Sequence, residues 1–148
     1  MYKKILVPID GSATSSRGLA EAMKLAGEQR AKIRLIHVVN ELMVMASYEG
    51  TIFTGELITA LRESGEKLLE KAKKQVADAG IAVESELLEA HGGQAGSTIA
   101  HDAEKSQADL IVLGTHGRRG LSRMVMGSDA EQVVRLAKVP VLLVRAAD

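Results

Sequence analysis

Leu110-Ile111-Val112-Leu113-Gly114-Thr115-His116-Gly117, continued through Arg118-Arg119-Gly120 to Gly127-Ser128-Asp129-Ala130-Glu131, decides the fold. Four aliphatic residues without polar alternation predict a strand covered on both faces. Two glycines follow where that strand ends, and a Gly-Ser pair stands where a helix begins. Glycine lets the backbone take φ > 0 and lets a ligand approach closely. A helix start offers unpaired N–H groups and the positive end of the dipole, which suit an anion such as phosphate. The stretch therefore reads as a cradle for a phosphate-bearing small molecule at Gly114, Gly117, Gly127 and Ser128.

The flanking sequence repeats the same strand-then-helix grammar. Ile5-Leu6-Val7-Pro8-Ile9 is a second buried-strand run, broken by the turn and cap chemistry of Asp10-Gly11-Ser12. Leu19, Met23 and Ala26 then share one helical face, with Ala20 and Gly27 beside them. Ile33 to Val39 predicts the next strand, interrupted by Arg34 and His37 and closed by Asn40. Glu41 to Gly55 is irregular and long for a connection, and it holds Met43, Met45, Tyr48 and Phe53. It reads either as a short helix or loop over the core edge, or as a lid or partner surface.

From Glu56 the spacing of Leu57, Leu61, Leu68, Ala72 and Val76 predicts a long helix. Glu63–Lys67 and Glu70–Lys74 stand as i,i+4 pairs on its wet face, and Gly80 stops it. Ile81 to Leu88 alternates more, as an edge strand would. His91-Gly92-Gly93 is a turn before a short helix from Gln94 to Lys105. After the glycine loop, Ala130, Val133, Val134 and Ala137 line one face of a further helix. Val139-Pro140-Val141-Leu142-Leu143-Val144 is the last strand, its Pro140 suited to a strand start or an edge.

Alternating strands and helices predict an α/β fold with a parallel sheet, right-handed crossovers and helices on both faces. Ligands of such sheets sit beyond the carboxyl ends of the strands, where strand order reverses. Asp10, His37-Val38 and Gly114 all fall on that rim.

Composition narrows the function. The length of 148 residues predicts one domain, 1–148, with a substantial core, and hydrophobic and charged residues at 46% and 26% are ordinary for a globular protein. A formal charge of +0 and an aromatic content of 2% argue against a nucleic-acid partner. The absence of cysteine excludes disulfides, thiolate catalysis and thiolate metal sites. Pro8 and Asp10 cut the first apolar run too short for a signal peptide or membrane span, so a cytoplasmic protein is expected. His37, His91 and His101 are scattered, and no metal site is read from protein side chains.

The spacing Gly114-x2-Gly117-x9-Gly127-Ser128 is not a P-loop, because no G-x-x-x-x-G-K-[ST] occurs. The dinucleotide fingerprint G-x-G-x-x-G is also missing after the first strand. Without a Walker lysine or a kinase-like set of metal ligands, the loop suits holding a nucleotide better than transferring its phosphoryl group.

That spacing resembles the nucleotide signature of the universal stress protein family, in its ATP-binding branch. Lys3-Lys4-Ile5-Leu6-Val7-Pro8-Ile9-Asp10-Gly11-Ser12, Ile36-His37-Val38 and Val139-Pro140-Val141-Leu142-Leu143-Val144-Arg145 resemble it too, so the likeness runs through the whole chain except Glu41 to Gly55. The resemblance implies a Rossmann-like, doubly wound five-stranded parallel sheet of order 3-2-1-4-5. It also implies a homodimer pairing through strand 139–145, which would cover an otherwise open apolar edge.

It further implies ATP, or AMP or ADP, as the bound molecule, with Mg²⁺ accompanying the phosphates. Asp10 would bond the ribose or adenine edge, with Pro8, Ile9 and Val38 walling the base. Leu113-Gly114 would pass beside the ribose. His116, Gly117, Gly127, Ser128 and the amides of Asp129 and Ala130 would hold the phosphates, with Arg118 and Arg119 either clamping them or solvated. Several residues keep a second reading. Asp10 could cap the first helix, and Ser128-x-x-Glu131 is also a capping box. Asp129 could turn to solvent, favour the helix dipole or help hold Mg²⁺. The expected role is regulation or sensing in a stress response. The alternatives are slow ATP hydrolysis or autophosphorylation at Ser128 or Ser122, and a nucleotide-independent interaction module.

Overall fold

The computed structural model describes residues 1–47, 54–115 and 126–145. Its elements run β1 (Lys4–Pro8), α1 (Ala13–Gln29), β2 (Lys32–Val39), α2 (Glu41–Ser47), α3 (Thr54–Asp78), β3 (Val83–Glu89), α4 (Ala95–Lys105), β4 (Leu110–Gly114), α5 (Ser128–Leu136) and β5 (Val141–Val144). The five strands form one parallel sheet in the order β3-β2-β1-β4-β5, as the resemblance implied. The order reverses between β1 and β4.

Strand alternation divides the apolar residues between two cores. Ile5, Val7, Ile33, Leu35, Leu110 and Val112 pack under α1 and α3, against Leu19, Ala22, Ala26, Leu69, Ala72 and Val76. Leu6, Ile36, Ile111 and Leu113 pack on the other face under α4 and α5, against Ile99, Ala103, Ala130 and Val133. Both faces of β1 and β4 are therefore covered, which accounts for their unbroken aliphatic runs.

Helix α1 begins at Ser12, whose side chain accepts the Ser15 N–H at 3.2 Å, and ends at Arg30 in the left-handed region with φ 56°. Ala20 and Gly27, read beside its apolar face, are exposed. Part of the irregular stretch forms α2, and α3 begins at Thr54, two residues before the predicted start. Tyr48 and Phe53 lie outside the described residues. On α3, Leu69 is buried beside Ala72 and Val76, while Leu68 is only partly covered. Lys74 bonds Asp78 at 2.7 Å, one turn further along the helix than the expected partner Glu70.

Val134 departs from the sequence reading: it is 45% exposed, whereas Val133 is fully buried. The face of α5 that meets the sheet is centred on Ala130 and Val133 and turns Val134 outward. No helix among the described residues is long and apolar enough to cross a membrane.

One buried polar network spans the sheet edge. Arg34 of β2 points to the α4 face, where Nε donates to Asp102 Oδ2 at 2.8 Å and Nη2 to Asp102 Oδ1 at 2.7 Å. The same guanidinium meets Glu86 and Glu84 of β3, and Lys32 and Lys4 also reach Glu84. The Asp102 hydrogen bond, working against desolvation, raises the Arg34 pKa still further above its ordinary range. The arginine that interrupts the strand pattern thus has a partner in α4 and two in the edge strand.

Candidate functional site

The rim is assembled from the carboxyl ends of three adjacent strands, β2, β1 and β4, and from the start of α5. At the end of β1, the Ile9 N–H donates to the Ile36 carbonyl at 2.8 Å, which carries pairing one residue past Pro8. Pro8 is half-buried and Ile9 is buried. Asp10 then makes a tight turn: its Oδ1 accepts the Ser12 N–H at 2.9 Å, and its own N–H donates to Ser15 Oγ at 3.1 Å. Gly11 takes φ 82°, the conformation glycine supplies without strain. The helix cap is therefore Ser12, and Asp10 braces the turn ahead of it. This sets aside the alternative reading of Asp10 as the cap of the first helix.

At the end of β2, Val38 is half-buried against the core under α4 and α5. Two residues on, Asn40 Nδ2 donates to the Gly93 carbonyl at 2.6 Å, tying that corner to the turn before α4. At the end of β4, Leu113 is buried and Gly114 lies against α1. A Cβ on Gly114 would stand 2.8 Å from Thr14 Cβ and 2.9 Å from the Thr14 carbonyl carbon, distances that side chains do not occupy. Gly18 reciprocates from α1, its own Cβ position 3.4 Å from the Gly114 nitrogen. Close packing of a helix on a strand end is enough to require glycine at 114.

The start of α5 is pinned to this strand end. Gly127 donates its N–H to the Thr115 carbonyl at 2.7 Å, and Thr115 donates its own to Val144 of β5 at 3.0 Å. Gly127 is the cap residue, at φ −60° and ψ 152°, and as a glycine it offers no side chain to the cap. Ser128 is the first helical residue, so the expected capping box is absent. Glu131 pairs with Arg135 at 2.9 Å instead of reaching back to the cap. Ser128 and Asp129 are exposed and Ala130 is buried.

Helix α4 braces α5 from the side. Gln132 Oε1 accepts the Ser97 N–H at 3.0 Å, and its Nε2 donates to Gln94 at 2.7 Å. A Cβ on Gly96 would lie 2.8 Å from the Asp129 carbonyl oxygen, so this contact needs glycine.

Pro8, Ile9, Asp10, Val38, Leu113, Gly114, Gly127, Ser128, Asp129 and Ala130 thus fall at one end of the sheet. His116, Gly117 and Arg118, with Arg119 and Ser122, lie outside the described residues. Among the described residues, no group of three His, Asp or Glu side chains is placed to hold a metal ion. Sequence reasoning missed the Gln94–Gln132 brace and Gly96. A glycine inside an otherwise regular short helix was the available signal.

A parallel sheet of this order, with a glycine-capped helix start beside its point of reversal, defines a Rossmann-like α/β domain. The chain belongs to the universal stress protein family, whose model, described as "Universal stress protein family", matches residues 1–145. It is 39% identical over 148 residues to universal stress protein MJ0531 of Methanocaldococcus jannaschii, covering 98% of this chain and 83% of that one. The solved structure of MJ0577, a protein also named as a universal stress protein of that organism, superposes with a TM-score of 0.88 at 30% identity, covering 100% and 99% of the two chains. A universal stress protein from Archaeoglobus fulgidus, solved in complex with dAMP, shares the fold with a TM-score of 0.67 at 24% identity, over 97% and 98% of the chains.

Proposed function

We propose that this chain binds an adenine nucleotide, ATP with Mg²⁺, and acts as a homodimeric regulatory module. The observation that carries the reading is the start of α5: a glycine-capped helix, fixed by the Gly127–Thr115 bond beside the sheet's point of reversal. Unpaired N–H groups at a helix start bind phosphate through hydrogen bonds and the dipole together. Membership of the universal stress protein family supports the choice of ligand through the glycine spacing. The dAMP complex of the distant relative contributes only a shared fold.

In this reading Pro8, Ile9 and Val38 wall the base, Asp10 faces the base or ribose, and Leu113 and Gly114 border the sugar. Gly127, Ser128 and the amides of Asp129 and Ala130 receive the phosphates, together with His116, Gly117 and Arg118. Asp129, exposed in the first turn, favours the positive helix end. The site holds the nucleotide without a lysine or metal-ligand set to drive transfer.

Calorimetric titration tests this directly. Saturable heat with Mg-ATP is expected at a Kd below about 1 mM, a binding free energy of about 4 kcal/mol. Gly127→Val should abolish the heat while the protein stays folded, because φ −60° and ψ 152° are open to any residue. Absence of heat in the unmodified protein, or unchanged affinity in the variant, overturns the assignment.

A further inference from the structure

Beneath the rim, His37 of β2 turns its ring toward α3, and its Nδ1 lies 2.7 Å from the Ile9 carbonyl oxygen. A carbonyl can only accept, so Nδ1 carries the proton and donates. The opposite edge of the ring rests on the backbone of α3. A Cβ on Gly65 would stand 2.5 Å from His37 Cδ2 and 3.1 Å from Nε2, with Leu87 Cδ1 at 2.8 Å. The ring is thus confined between an acceptor on one side and a glycine on the other.

What His37 holds is the first peptide beyond the strand pairing. The Ile9 N–H is bound by the backbone of β2 through Ile36, and the Ile9 carbonyl by the side chain of the next residue in β2. The Ile9 carbonyl and the Asp10 N–H belong to one planar peptide. Fixing the carbonyl therefore also aims the Asp10 N–H at Ser15 Oγ and sets the turn in which the Asp10 carboxylate lies. Helix α3 has an anchor of its own one turn before Gly65, where Arg62 pairs with Glu41 of α2.

We propose that His37 is a positioning residue for the Ile9–Asp10 corner, and that Gly65 makes α3 the wall that sets its ring. The link to nucleotide affinity rests on the reading of the rim given above. The link to the Asp10 peptide does not. A shift of α3 toward the sheet displaces the ring, and the ring cannot move without loosening its bond to Ile9. Elements on the opposite side of the sheet from α4 and α5 thereby gain control over the base-side wall.

The test uses the full chain and four variants: H37L, H37N, G65A and H37L/G65A. Asparagine keeps an N–H donor near the Nδ1 position, with its Oδ1 near the place of Cδ2, whereas leucine removes the donor. For each, Mg-ATP affinity is measured by calorimetry, the ligand-free exchange rate of the Asp10 amide by NMR, and folding by thermal unfolding. H37L and G65A should weaken Mg-ATP about tenfold and speed Asp10 exchange about tenfold, the loss expected for one well-made hydrogen bond. H37N should stay near the parent, and adding G65A to H37L should speed Asp10 exchange no further.

Parent-like affinity and exchange in H37L overturn the proposal. So does an H37N variant as impaired as H37L, or a full further G65A increase in Asp10 exchange in the H37L background. If the parent itself takes up no Mg-ATP, the nucleotide reading fails, and Asp10 exchange alone then decides: acceleration in H37L sustains the positioning role, and an unchanged rate overturns it.

Discussion

Gly127 donates its backbone N–H to the carbonyl of Thr115 at 2.7 Å, joining the start of α5 to the end of β4. Thr115 at the same time donates its N–H to Val144 of β5 at 3.0 Å, so three elements meet at one residue. The junction of β4, α5 and β5 is consequently set by main chain. Substitutions around it sort into those that strike packing and those that strike the ligand.

Gly114→Ala belongs to the first group. Its methyl would meet both the side chain and the backbone of Thr14, so α1 must move away from the strand end. Forcing a methyl into such a contact costs about 1–3 kcal/mol. A lower midpoint in urea, measured without nucleotide, is the expected result. An unchanged midpoint would show that α1 gives way freely.

Asp102→Ala should be among the most damaging single changes. It leaves the Arg34 guanidinium, whose side chain is 11% exposed, without its bidentate partner. Breaking a buried pair from one side costs about 3–5 kcal/mol, whereas replacing both partners with apolar residues is far milder. The double variant Arg34→Met with Asp102→Leu should therefore recover much of the loss in chemical denaturation. A double variant as unstable as the single one contradicts this account.

Acid stability should depend on Glu84. Its hydrogen bond with Lys32, opposed by partial burial and aided by Lys4 and Arg34, holds the carboxyl below its ordinary 4.5. A carboxylate whose folded pKa is depressed adds stability that is complete above the unfolded value and is lost as pH falls through the folded one. Stability should therefore decline as pH drops below about 4.5, and Glu84→Gln should flatten that decline. The effect is modest because the side chain is 31% exposed. Parallel pH profiles for the two proteins would refute it.

The proposed dimer makes a separate prediction. Leu142 of β5 is 36% exposed, and Val134 and Leu136 on neighbouring α5 are 45% and 47% exposed. Leu142→Lys places a charge on this apolar edge, a device by which sheets avoid pairing. Sedimentation equilibrium should show a two-chain mass for the parent and a one-chain mass for the variant. A parent that sediments as a single chain at about 100 µM, a concentration well above the Kd of a stable dimer, removes the dimer from the function.

The strands and their order were legible because a buried parallel sheet writes itself as unbroken aliphatic runs, and a family likeness supplied the order. Helix limits were less so. The start of α3 and the helix within 41–47 depend on side chains meeting across the fold, which periodicity does not record. Val134 illustrates this, since one step around a helix separates a buried valine from an exposed one. At the rim, Asp10, Val38 and Gly114 do fall at or beside strand ends, but several local reasons differ from the reading. Gly114 answers to Thr14, Asp10 to Ser12, and Ser128 sits one residue inside its helix. His37 was visible as an interruption in a strand, while its partner Gly65 lay in another element.

The foot of the sheet is closed differently from its rim. Asp109, just before β4, accepts the backbone N–H groups of Lys3 at 2.8 Å and Lys4 at 3.1 Å, stitching the first residues of β1 to the neighbouring strand. All strands run from that foot to the rim, so residue 1 lies at one end and Arg145 at the other. A pull between them would drag β1 downward and β5 upward, loading the hydrogen bonds of β1, β4 and β5 together in shear rather than one at a time. Tethered by its amino end, the molecule would present its rim outward and resist stretching as a unit. Single-molecule extension should then show one force peak, and unzipping in several small steps would contradict it.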